Sequence, residues 1–298
     1  MDVRKFSKFS SGSIDQYTPP KNFELVGQKL TFEMDDGFET ILNFTGRNTL
    51  EWSIAGSAVT TEESYECLKG DDTTYLVTYE LGGVSPRVNH TFEIDTENML
   101  VTRLIAEIGK NPQYPYLMST AFEFGAIKQE GVETPIYPRH GYTSDIQGNI
   151  MEWNYNPDLT TVHVYYCTNF YRITYPTSKL PKDGEEFNSA MTEILKSLPS
   201  SDEPAVYIKI KEGLYLTSIT EINGEKLVGE KMGYRSDTLC FLQNYNRFYA
   251  VGRGFGTSTM GDEGEAPIFV TLGAYGRFVE PKEERFKKLL TDPNPYLT

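Results

Sequence analysis

The sequence predicts an all-β protein made of two tandem antiparallel β-barrels, with one helix inserted in the second. Three observations carry this. Short runs of alternating apolar and polar residues follow one another along the chain, separated by Gly, Pro, Asn and Asp turns. A block reading TTYLVTYELGG, with Tyr75, Leu76 and Glu80, recurs as EGLYLTSITEING, with Tyr215, Leu216 and Glu221. Each copy leads to an aromatic-glycine close, Ala121–Ile127 and Leu272–Phe278. The first half also supplies about eight short strands in succession, which suits an up-and-down barrel. A duplicated unit of about 140 residues lets each half bury its own core.

Residues 1–22 form a polar lead-in ending at Pro19-Pro20. The first barrel spans 23–130. Its opening strand, Lys29–Met34, meets Asp35-Asp36-Gly37, and Phe38–Phe44 leads out. Asp-Gly between alternating runs marks a hairpin, because Gly tolerates the positive φ of the turn, so Asp35 and Asp36 read as turn chemistry rather than metal ligands. Strands follow at Thr49–Ile54, Ser64–Leu68, Thr74–Glu80, Val88–Asp95, Met99–Ile108 and Ser119–Ile127. A connector over 131–146 holds Pro135, Pro138, His140 and Gly141 and marks the domain boundary.

The second barrel spans 147–281 and opens with Asn149–Tyr155, Thr161–Tyr166 and Phe170–Tyr175. An insertion over 177–203 breaks the β pattern. Within it Phe187, Met191, Ile194, Leu195 and Leu198 fall at helical spacing, which predicts a helix over 185–198 ended by Pro199. That helix either covers the barrel wall or lids its mouth. Strands resume at Ala205–Ile210, Gly213–Ile219, Glu225–Gly233, Thr238–Leu242, Arg247–Gly252 and Pro267–Phe278. A tail over 282–298 carries Phe286, Leu289 and Leu290, enough for a short docked helix.

The composition narrows the function. Of 298 residues 39% are hydrophobic, which supports folded domains over disorder, and 20 Tyr with 17 Phe suit strands that line a cavity. The net charge of −14 and the lack of a basic run exclude nucleic acid and an anionic membrane surface as partners. No run resembles a signal peptide or a membrane span, so the expected location is cytoplasmic. Cys67, Cys167 and Cys240 form no ligand or redox pair and read as reduced thiols. No His pair has ligand spacing, so no metal is expected.

The order of several motifs is similar to the molybdenum cofactor biosynthesis protein F family (MoaF), tandem lipocalin-like barrels. Leu25-Val26-Gly27-Gln28-Lys29-Leu30, Asp35-Asp36-Gly37 and Thr49-Leu50-Glu51-Trp52 match its opening. His163-Val164-Tyr165, Tyr207-Ile208-Lys209-Ile210, Leu214-Tyr215-Leu216 with Glu221, and Gly273-Ala274-Tyr275 match its C-terminal half. The resemblance implies lipocalin-like barrels far more strongly than it implies a reaction. No molybdopterin-binding glycine loop is present, and Gly252-Arg253-Gly254-Phe255-Gly256 is no dinucleotide fingerprint. It reads instead as bends in a barrel strand. The first half also resembles phenolic acid decarboxylases. Their two Tyr positions hold Phe32 and Met34 here, their Arg position holds Ser53, and only the Glu is kept, as Glu80. Without the Arg fork that would grip a carboxylate, that activity is not expected.

Candidate site residues follow from alternation. Tyr215, Thr217, Ile219 and Glu221 share one strand face. If that face is the lumen, burial raises the Glu221 carboxyl and suits it to proton transfer. Glu80 is read as its counterpart in the first half. His163 shares a face with Tyr165 and is the third candidate acid or base. Tyr165, Tyr207, Tyr215 and Thr217 are candidate substrate-binding groups, and Arg247 a candidate partner for an anionic substituent. The expected function is an enzyme using cofactor-free proton transfer (isomerase, cyclase or lyase) on an apolar, aromatic or polyenic metabolite. The alternative is a non-catalytic carrier or chaperone of a hydrophobic metabolite, and a third reading is a scaffold with side-chain-filled barrels. No cofactor is expected. The partner is a small hydrophobic or aromatic ligand, and a homodimer is compatible with the sequence.

Overall fold

The computed structural model describes residues 15–110, 113, 117–134, 137–156, 159–174, 200–222, 235–258 and 266–280. Every regular element among them is a β-strand. The predicted helices over 185–198 and in the tail, and the predicted strand Glu225–Gly233, lie outside the described residues.

Eight strands close the first barrel in chain order. They are β1 (Lys29–Met34), β2 (Glu39–Asn43), β3 (Thr49–Ile54), β4 (Thr60–Lys69), β5 (Thr74–Glu80), β6 (Arg87–Asp95), β7 (Leu100–Ile108) and β8 (Met118–Ile127). β8 returns to β1 through Phe32↔Ile127 and Met34↔Gly125. Closure leaves no sheet edge, so every strand finds two partners for its backbone groups.

The strand β9 (Gly141–Tyr142) lies within the predicted connector and pairs with β13. A second barrel follows: β10 (Ile150–Asn154), β11 (Thr160–Val164), β12 (Phe170–Thr174), β13 (Ser201–Lys211), β14 (Leu214–Glu221), β15 (Arg235–Asn244), β16 (Tyr249–Ser258) and β17 (Ala266–Phe278). β17 pairs back onto β10 and β12 onto β13, so eight antiparallel strands close here as well. β13 begins at Ser201, inside the predicted insertion. Ser201-Asp202-Glu203-Pro204 carries turn chemistry in sequence, yet it pairs residue by residue with Phe170–Ile173. One compact unit of the chain comprises Pro19–Tyr142 with Ile208–Tyr215, and the remaining described residues form the other.

Inward residues of the first barrel build its core. Phe32, Leu42, Leu50, Tyr65, Val77, Tyr79 and Phe92 are all buried. Side chains of this size each contribute about 1.5–3 kcal/mol when removed from water. One end is closed by the segment before β1. Asn22 N donates to Cys67 O at 2.8 Å, Gly27 N to Phe44 O at 2.8 Å, and Leu25 packs inward against the core. Gly27 takes φ of +83°, which only glycine adopts without strain. Glu24 locks the closure by accepting from Lys69 (2.6 Å) and Tyr75 (2.7 Å), which pull its carboxyl down to about 2. At the opposite end the inward residues Trp52, Ile54, Leu81 and Ile105 are only half-buried. The first barrel is therefore dry at one end, and its inward residues are more exposed toward the turns after β1, β3, β5 and β7.

The second barrel packs differently. Phe241 pairs with Gly252, and a Cβ at that glycine would stand 2.7 Å from the Phe241 ring. A Cβ at Gly276 would stand 2.5 Å from the Trp153 ring. These inward glycines vacate volume that large side chains then occupy. The Gly252–Gly256 repeat is thus lumen chemistry as much as strand bending.

Candidate functional site in the barrel interiors

In the second barrel the lumen holds one continuous hydrogen-bonded network. Tyr165, one residue beyond β11, is its hub. Its oxygen accepts from Trp153 Nε1 at 3.3 Å and from Gln243 Nε2 at 2.9 Å. Its own proton is then free for His163 Nδ1, 3.2 Å away. This fixes the imidazole as the neutral tautomer with hydrogen on Nε2, which lies 3.0 Å from Thr161 Oγ1. Thr161 is bonded in turn to Tyr155, whose phenol is raised chiefly by burial, with smaller pushes from Tyr165 and the Glu221 carboxylate. On the other side Thr217 donates to Gln243 Oε1 at 3.1 Å. Burial alone pushes His163 down to about 3, and burial holds Tyr165 at about 12.

His163, Tyr165 and Thr217, read separately from sequence, are joined through Gln243, while Glu221 is linked to them only by its charge acting on Tyr155. Tyr207 meets Tyr165 edge to face, with ring centroids 5.7 Å apart, and donates its hydroxyl to Phe170 O at 3.0 Å. Tyr215 is buried, and by alternation it shares the lumen face with Thr217. Arg247 sits elsewhere, exposed in the turn between β15 and β16, its backbone N–H bonded to Asn244 Oδ1 at 3.0 Å.

Glu80 is also elsewhere. Its strand mates Tyr75, Val77 and Tyr79 face the core, so Glu80 faces out with Thr78. There it meets Arg87 as a two-point ion pair, at 2.6 and 2.8 Å. The duplication explains the difference. Gly82 N donates to Glu63 Oε2 (2.9 Å) and Ile222 N donates to Glu203 Oε2 (2.7 Å), the second pair 140 residues after the first. At that offset Glu80 aligns with Thr220, and Glu221 with Leu81. A shift of one residue in a strand moves a side chain to the other face. The two glutamates therefore are not equivalent.

The residues that line the open half of the first barrel were not singled out from sequence. Tyr79 and His90 face each other across β5 and β6, with Tyr79 Oη 3.2 Å from His90 Nδ1. Burial lowers His90 to about 3, with a smaller push from the Arg103 guanidinium. Trp52 meets His90 at 5.3 Å between ring centroids, and Phe92 stacks against Tyr79 and Phe32. Arg103 is buried. It donates Nε to Glu123 at 2.6 Å and Nη1 to Thr40 at 3.1 Å, and lies over Phe92 at 6.0 Å. The sequence signal was the pairing of alternating faces: Tyr79 with His90, Phe92 with Arg103, and Arg103 with Glu123.

Residues 4–110 match the family model of the MoaF N-terminal domain. The match reaches the end of β7 and supports the resemblance to MoaF. No curated protein matches the chain. The MoaF domain and the closed barrels are consistent with a lipocalin-like ligand-binding protein. Among the described residues no helix is long and apolar enough to cross a membrane, and no three His, Cys, Asp or Glu gather as a metal-binding group.

His90 and His163 set a pH dependence, to which His140, also lowered by burial, adds in the same direction. Each is neutral when folded and titrates near 6.5 when unfolded. The unfolded chain therefore binds the extra proton first as pH falls, and stability drops from about pH 6.5 toward about pH 3. The loss is about 1 kcal/mol per pH unit per histidine. Thermal denaturation at pH 7 and pH 5 checks this. His163→Gln is expected to shrink the difference, whereas an unchanged difference would show that the imidazole is charged in the fold.

Proposed function

We propose that this protein binds a small, apolar, aromatic-type ligand, and that the MoaF-like N-terminal barrel is the binding compartment. One contrast carries the reading. In the second lumen Tyr165, His163, Gln243 and Thr217 bond one another, and Trp153 and Phe241 occupy the space beside its glycines. The first barrel instead has an apolar floor, rings along its wall and half-buried residues at its rim. An interior of this kind suits a guest whose surface is mostly apolar and whose few polar atoms meet placed partners. Fluorescence titration with phenylnaphthylamine, a neutral dye that brightens in apolar surroundings, tests it. Saturable binding is expected. Ile54→Trp, which adds bulk at the rim, is expected to weaken it about tenfold, while His163→Gln leaves it unchanged. The reverse pattern would transfer the compartment to the second barrel, and an absence of binding would end the proposal.

A second reading, catalysis by proton transfer, draws on the second barrel. Tyr155, Thr161, His163 and Tyr165 form a run of hydrogen-bonding groups that can pass a proton, and the Glu221 charge acts on Tyr155 at one end of it. Within it, a histidine lowered to about 3 orients and relays rather than holding charge. Catalysis of isomerisation, cyclisation or elimination would then depend on Glu221. Glu80, paired outside the lumen with Arg87, would serve stability alone.

A further inference from the structure

Among the described residues, two inward-facing buried polar atoms of the first barrel lack hydrogen-bond partners. Trp52 Nε1 and Thr61 Oγ1 are both shielded from solvent, and neither makes a hydrogen bond. They are also neighbours. Trp52 and Thr61 are direct cross-strand partners between β3 and β4, as are Leu42 and Trp52 between β2 and β3, so all three point into the same lumen. Leaving a buried donor unmet costs about 1–3 kcal/mol, and folded proteins keep few such groups. Two on adjacent strands, in the compartment proposed above for a ligand, mark a place where an atom from outside the chain completes the bonding.

The chemistry of the pair limits what that atom is. An indole N–H donates only, and a threonine hydroxyl donates or accepts. Both can therefore donate to one oxygen with two lone pairs, such as a carbonyl. The charges limit the rest of the molecule. Arg103 is the cation of this lumen, and it is already engaged by Glu123 at 2.6 Å, with Thr40 and, at 3.9 Å, Asp36 around it. Glu63, inward on β4, brings a further carboxylate, tied to Gly82 N at 2.9 Å. An anionic guest would enter a site of its own sign with the guanidinium already taken. The ring contacts among Trp52, His90, Tyr79, Phe92 and Phe32 favour a flat guest.

We infer that the N-terminal barrel takes an uncharged, flat molecule and holds its carbonyl-type oxygen between Trp52 Nε1 and Thr61 Oγ1. The inference rests on the reading of this barrel as the ligand compartment and adds the chemical class. Three fluorescent probes of similar ring size separate the two claims. Phenylnaphthylamine is neutral without a carbonyl, prodan is a neutral naphthyl ketone, and the matching naphthoate carries a carboxylate in place of the ketone. In the wild-type protein the naphthoate is expected to bind at least about tenfold more weakly than prodan, the scale set by burying an unpaired charge. Trp52→Phe and Thr61→Val are each expected to weaken prodan about fivefold, the scale of one net hydrogen bond. Both should weaken phenylnaphthylamine, which offers no carbonyl, clearly less than they weaken prodan, and an unchanged far-ultraviolet circular dichroism spectrum shows that the variants are folded. Naphthoate binding as tight as prodan overturns the inference, as does prodan binding indifferent to both substitutions, the result expected if only water sits between the two groups. In either case phenylnaphthylamine binding would still stand for the compartment itself. If none of the three probes binds, the compartment reading fails and the inference with it.

Discussion

Replacing Tyr165 with phenylalanine is expected to destabilise the second barrel by about 3 kcal/mol while leaving the first barrel intact. The ring stays, so packing against Tyr171 and Tyr207 is kept. What goes is the oxygen on which three buried groups converge: Trp153 Nε1, Gln243 Nε2 and His163 Nδ1. Each loses a partner in a region with little access to water, at about 1 kcal/mol or more apiece. Denaturant unfolding of the variant reads the effect. A loss under about 1 kcal/mol would show that the network is incidental and that packing alone holds this lumen.

Arg103→Met is the second large effect. It strands Glu123 on the inner wall, and it removes a donor from Thr40. Losing one partner of a fully buried pair costs about 3–5 kcal/mol. The Glu123 side chain retains 23% of its exposure, so about 2–3 kcal/mol is expected here. Pairing the change with Glu123→Leu removes the stranded carboxylate, and most of the loss should return. If the double variant is no more stable than the single one, the guanidinium contributes through packing over Phe92 rather than through charge. The same double variant bears on ligand choice, because it removes both charges together and keeps the lumen slightly acidic through Glu63.

Much of the fold was legible because strand alternation and turn chemistry are local. Asp35-Asp36-Gly37 specified the first hairpin, and Lys29–Met34, Thr49–Ile54 and Thr74–Glu80 emerge with the predicted bounds. β13 was cut short because Pro204 and the acidic residues before it look like a break. Its pairing with β12 is a long-range fact that the local sequence does not contain. In the second barrel the meeting of His163 and Tyr165 follows from alternation, which puts them on one face, whereas Thr217 reaches them through Gln243, a residue that alternation alone does not single out. Glu80 was misaligned with Glu221 by one residue, and in a strand one residue decides between core and exterior. Arg247 was drawn from composition, and it lies in a turn. The groups that matter most in the first barrel, Trp52, Thr61, His90 and Arg103, come from four strands. Each looks ordinary alone, and only the registers β3–β4 and β6–β7, with closure of the sheet, bring them into one barrel interior.

The central proposal is that the first barrel takes the ligand, while side chains of the second bond one another in its lumen. The chain's two tryptophans report on one barrel each, since Trp52 lines the first lumen and Trp153 the second. The most direct measurement is a nitrogen–proton NMR spectrum of the two indole N–H groups as prodan is added. The expected result is a displaced Trp52 signal and a stationary Trp153 signal, held by its bond to Tyr165. A displaced Trp153 signal with Trp52 unmoved would contradict the account.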